Sequence, residues 1–201
     1  MGFKKMIFVL AITTTIIFVC MFGGSYAYYV SSDGTTLNVT TGNFDTGLAV
    51  VFNQNQYINL KTGIPLTTEQ VDELASKTIF TLIPDAEILT GYDAAITITL
   101  TDVSISEELR ISDFHYDLSC LNSADETVIN NNFTGASITD EDLTNKQLVL
   151  GTLSTSDNTF SIDESYTCTL RVWLQSTESD QNTLMNKKFS GLVKVNSAFR
   201  K

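Results

Sequence analysis

Ala95-Ile96-Thr97-Ile98-Thr99-Leu100 alternates side chains with a period of two. In an extended chain that spacing puts Ile96, Ile98 and Leu100 on one face and Ala95, Thr97 and Thr99 on the other. Such a segment reads as a half-buried strand, dry on one side and hydroxyl-lined on the other. The same period recurs along the chain. Leu48, Val50 and Phe52 alternate with Ala49 and Val51, and the pattern reaches back to Phe44 and Thr46. Residues 79–83 are a short run of strand formers stopped by Pro84. Residues 114–120, 147–153, 159–162, 166–175 and 188–199 complete the predicted strands, with Asn, Asp, Ser and Gly between them. Eight or more strands with polar connections predict an all-β fold, an antiparallel sandwich of jelly-roll type.

One segment departs from the period. Thr67-Thr68-Glu69-Gln70-Val71-Asp72-Glu73-Leu74-Ala75 follows Pro65, with Thr67 and Gln70 spaced as a capping box. The acids lie early, Lys77 lies late, and Val71, Leu74 and Ala75 form a narrow apolar stripe. A short surface helix over one end of the sandwich is expected there. Single turns are expected at Ser106-Glu107-Glu108-Leu109 and Asp140-Glu141-Asp142-Leu143.

The start of the chain is of another kind. Lys4 and Lys5 precede an apolar run over residues 6–22, and Gly23-Gly24-Ser25-Tyr26-Ala27 comes next. A basic start, an apolar stretch and a small-residue site form the layout of a secretory signal. Residues 1–27 are read as that signal, cut between Ala27 and Tyr28. A retained anchor is the alternative, although the run is at the short limit for spanning a bilayer. Residues 28–201 are read as a single exported domain. Losing Lys4 and Lys5 and no acid moves the formal charge from −11 to −13. A chain this acidic is not expected to bind nucleic acid or anionic lipid, and meets the membrane only as the uncleaved precursor.

Cys20 leaves with the signal, so the exported chain keeps Cys120 and Cys168. Each falls on the apolar face of its predicted strand. Outside the cytoplasm they form a candidate disulfide; two buried free thiols are the alternative.

Candidate chemistry is sparse. The chain has one histidine, His115, expected to point outward between Phe114 and Tyr116. A zinc protease site of the helical type needs two histidines four residues apart with a glutamate. A serine triad would also have to use His115, and no Gly-x-Ser-x-Gly elbow accompanies it. No catalytic residue and no metal ligand set is assigned, and no cofactor is expected. Asp125-Glu126, Asp140-Glu141-Asp142 and Glu178-Ser179-Asp180-Gln181-Asn182 are oxygen-rich but lack calcium-loop spacing, leaving at most weak calcium binding.

The cleavage junction and the segment just after it resemble a known family. Ser25-Tyr26-Ala27-Tyr28-Tyr29-Val30-Ser31-Ser32-Asp33, then Leu37-Asn38-Val39-Thr40-Thr41-Gly42-Asn43-Phe44-Asp45, resemble the start of the TasA/camelysin family of exported Gram-positive proteins. Asn186-Lys187-Lys188-Phe189-Ser190-Gly191-Leu192-Val193-Lys194-Val195 is similar to that family's last core strand. The resemblance implies a jelly-roll domain at the cell surface or in a biofilm matrix, freed by a signal peptidase of the SipW type. It also implies fibres built by donor-strand exchange with further copies of itself or related matrix proteins. Residues 28–40 would then be the donor strand, with Tyr28 and Val30 pointing one way and Tyr29 the other. An ordinary edge strand within one subunit is the bland alternative. A second function class is a monomeric surface module binding glycans or host proteins through Trp173, which the alternation places on an outer face. A camelysin-like metalloprotease is the remote one.

Overall fold

The computed structural model describes residues 47–60 and 64–200, which fall within one compact unit, Asn38–Lys201. Their strands pair antiparallel in two sheets. The larger sheet runs β1 (Leu48–Phe52), β3 (Ser76–Pro84), β8 (Tyr166–Leu174), β5 (Phe114–Leu121), β6 (Thr127–Thr134). The smaller runs β2 (Tyr57–Asn59), β9 (Phe189–Arg200), β4 (Asp93–Ile105), β7 (Gln147–Ser154). Ile96, Ile98 and Leu100 of β4 join Phe80, Leu118 and Leu170 of the other sheet in one core, each essentially sealed from solvent. Burying such a side chain stabilises the fold by roughly 1.5–3 kcal/mol. The result is a mostly-β, two-sheet arrangement of sandwich type with a few short helices.

Cys120 and Cys168 are direct partners in the β5–β8 register and are joined by a disulfide, with Cα atoms 4.1 Å apart. Both lie in the core row of their strands.

Three short α-helices decorate the sheets: α1 (Thr68–Leu74), α2 (Ala86–Leu89) and α3 (Asp140–Asn145). The Thr67 N–H donates to Gln70 Oε1 at 3.0 Å, the return half of the capping box. Lys77 belongs to β3 rather than to the end of α1, and Leu74 is half exposed, so only Val71 and Ala75 of the expected stripe are buried. Thr139 and Asp142 cap α3 reciprocally. A 3-10 turn occupies Glu107–Leu109, and others lie at Gly135–Ser137 and Asn182–Leu184.

One expected strand is corrected. Residues 159–162 form no strand. Phe160 instead caps the core beside Tyr166, whose hydroxyl accepts from the Ser161 N–H at 2.6 Å, and the Thr159 hydroxyl closes a turn onto Ser154. Strands β2 and β6, and helix α2, were not expected from the pattern.

Candidate functional site

Tyr28, Tyr29 and Val30, the cleavage pair Ala27 and Tyr28, and the donor segment 28–40 lie outside the described residues. The structure therefore bears on the surface that would receive such a strand and on the other residues named above.

Trp173 stands on the outer face of the larger sheet, yet it is only 8% exposed. Leu66, Val71 and Ala75 cover it as α1 packs down. Its Nε1 donates to Gln175 Oε1 at 3.1 Å, and its ring stacks on His115 with centroids 5.3 Å apart. A sugar therefore has no open indole face here, which corrects the platform assumed for glycan binding. His115 is likewise half-buried rather than freely exposed. Burial pushes its pKa below the ordinary 6.5, against the opposing pull of Asp113 and Asp117.

Both neighbouring carboxylates are already engaged. Asp117, 2% exposed, accepts from Arg171 Nε at 3.0 Å and from Nη2, while Arg171 Nη1 reaches Asp72 on α1. That pairing holds the Arg171 guanidinium pKa above its usual value, the hydrogen bond to Asp117 first among the causes. Asp113 Oδ2 accepts from Gln181 Nε2 at 3.1 Å. These groups latch α1 to the sheet; they leave His115 no free carboxylate of the Asp113–Asp117 pair to form a triad. The acidic loops are also occupied. Asp142 caps α3, Asp140 pairs with Arg110 at 2.8 Å, and Asp180 accepts from the Asn182 N–H. Among the described residues, no group of three or more His, Cys, Asp or Glu side chains is arranged to hold a metal ion.

The open margin of the sandwich is different. Strands β6 and β7 are the edges of the two sheets on the same side, each paired on one flank only among the described residues. Neither TVINNNFT nor QLVLGTLS contains a charge or a proline. Natural edges are ordinarily guarded by such residues. Between them an open groove of about 700 Å³ is lined by Tyr116, Phe133, Ser137, Asp142, Asn145 and Leu148, among others. Its aromatic floor is Tyr116 stacked on Phe133, centroids 5.0 Å apart. Burial raises the Tyr116 hydroxyl pKa, with Asp142 adding in the same direction, so the floor stays neutral at ordinary pH.

One end of the groove is walled by α3 and the turn before it. Arg110 Nη2 donates to the Ile138 carbonyl at 3.2 Å, and its Nη1 bridges Glu107 and Asp140. Gly135 allows the wall to sit this close, since a Cβ there would lie 1.9 Å from the Leu109 oxygen. Further along, Asn131 Nδ2 crosses from β6 to the Leu150 carbonyl at 2.9 Å. Residues Asn131 and Phe133 were missed by the sequence reading because Asn130-Asn131-Asn132 looks like a loop. The period of Ile129, Asn131 and Phe133 is the signal that would have found the strand.

No family model matches the chain, and no curated protein matches it. Among solved structures, a mutant Xylanase10C from Cellvibrio japonicus in complex with xylopentaose is similar at a TM-score of 0.35 and 12% identity. The match covers 75% of this chain and 29% of that one. A likeness at that level carries no argument about fold or function.

Proposed function

We propose that this is an exported structural protein, not an enzyme, of the cell surface or biofilm matrix of a Gram-positive bacterium. It assembles into fibres when the N-terminal segment of one copy, freed at Tyr28, adds a strand to the β6–β7 margin of the next. The sandwich is read as a jelly roll whose successive strands alternate largely between the sheets. The observation that carries the proposal is the pair of long, uncharged, proline-free edges flanking a groove. Backbone groups along such edges supply affinity, and pockets for alternate side chains supply register.

Copies with a formal charge near −13 repel; β6 and β7 themselves add no charged side chain to that repulsion, while the acidic α3 borders the groove. Residues 28–44 carry one charged side chain, Asp33, and after cleavage the new α-amino group of Tyr28. Strand β1 lies at the opposite edge of its sheet from β6. A head-to-tail contact, in which the segment before β1 of one copy pairs at the β6–β7 margin of the next, does not close on itself and propagates a filament.

Electron microscopy of the exported protein at several concentrations tests this reading. Fibres are expected from the intact chain and none from a variant lacking residues 28–34. Fibres of normal yield from the deletion would sink the donor-strand mechanism.

A further inference from the structure

We propose that Asn131 is a plug for this margin. In the free subunit its amide holds the Leu150 carbonyl that an incoming strand would use, and it must swing away before a neighbour can pair. The inference rests on the assembly reading above.

The inward row of β6 is Ile129, Asn131 and Phe133, opposite Cys120, Leu118 and Tyr116 of β5. Those three partners are buried and form part of the core. An apolar residue at 131 would extend that core, so an amide there forgoes apolar burial in exchange for a polar contact. The contact it makes is with a strand edge in the other sheet. Leu150 is the extra residue of a bulge: Val149 pairs with Thr99 and Gly151 with Ile98, leaving Leu150 between them. The bulge turns its carbonyl out of the β4–β7 ladder and toward the margin, where Asn131 Nδ2 meets it at 2.9 Å. Gly151 makes room, because a Cβ there would sit 3.2 Å from Asn131 Nδ2 and 3.1 Å from Ile129 Cδ1.

Asn131 itself is exposed, whereas Leu150 is 1% exposed, so the amide both satisfies that carbonyl and shields it from solvent. An incoming strand reaches the carbonyl only after this tethered group has left the pairing position. Inward polar residues and bulges are both devices by which edges resist pairing. Here they act on two edge strands that themselves carry no charge and no proline. The plug is also weak. One net hydrogen bond to a neutral amide amounts to about 2- to 10-fold in an equilibrium, which a new strand with several ladder bonds overcomes. A weak plug slows the first encounter without preventing the finished contact.

The test compares three proteins by light scattering during assembly: the unaltered chain, Asn131→Ala, and Ile58→Val as a control. Ile58 is buried in β2, at the opposite edge of its sheet from β7, and its loss of one methyl lowers stability without touching the β6–β7 margin. Asn131→Ala should shorten the lag about five-fold, the size of one such bond, at equal final fibre mass. Ile58→Val should leave the lag unchanged. If the unaltered chain forms fibres and Asn131→Ala is no faster, or Ile58→Val is equally fast, the plug is wrong and the assembly reading stands. If the unaltered chain forms no fibres at any concentration, both fall.

Discussion

His115 carries a signature that can be read in solution. Its folded pKa is lowered by burial, while the unfolded chain titrates near 6.5. As pH falls through 6.5 the unfolded state takes up the proton first, so stability is full above that value and declines below it. His115→Gln should remove this share of the acid slope. Urea unfolding of both proteins at pH 7.5 and 5.5 measures the difference, and an unchanged slope would contradict the burial. Beside it, Trp173 is a packing residue under α1. Trp173→Ala should cost about 3–4 kcal/mol, read as a lower urea midpoint. A near-neutral result would mean that α1 does not cover the indole.

At the scale of elements, the groove wall depends on one close approach. Gly135→Ala forces the turn away from Leu109 and should loosen α3, at a cost of about 2–3 kcal/mol. Hydrogen exchange should quicken in α3 before the central strands. The disulfide ties β5 to β8 across 48 residues of sequence. Replacing both cysteines with alanine should lower stability by about 4 kcal/mol in the chain-entropy model. The elements legible in sequence are those whose period two is unbroken. Ile96, Ile98 and Leu100 announce β4, and Thr67 with Gln70 announces α1. Strand β6 escaped because its inward row alternates Ile129, Asn131 and Phe133 while Asn130 and Asn132 flank it, which mimics a loop. Strand β2 is too short to show a period, with only Ile58 buried. Residues 159–162 have strand-like composition, but Phe160 is drawn to the core by Tyr166 and the chain turns instead. The open margin was illegible for a related reason. Which strands become edges is decided by pairing partners far apart in sequence, and no local pattern encodes them.

The chain as a whole is strongly acidic, and the two-sheet unit formed by its described residues has edge strands β6 and β7 without a charged side chain. Like-charge repulsion acts on every approach of two copies, and salt screens it over a Debye length of about 10 Å at 0.1 M. Fibre growth should therefore quicken as salt rises from low concentration, and light scattering tracks it. A donor strand would convert exposed edge backbone into ladder hydrogen bonds, which is a local event with a local readout. Amide hydrogen exchange of β6 and β7, compared between free subunit and fibre, tests the central claim most directly. Assembly through this margin predicts marked slowing in these two edges, with β1 and β2 little changed. Slowing confined to β1 and β2, or fibres whose β6 and β7 amides exchange as fast as in the free subunit, would contradict it.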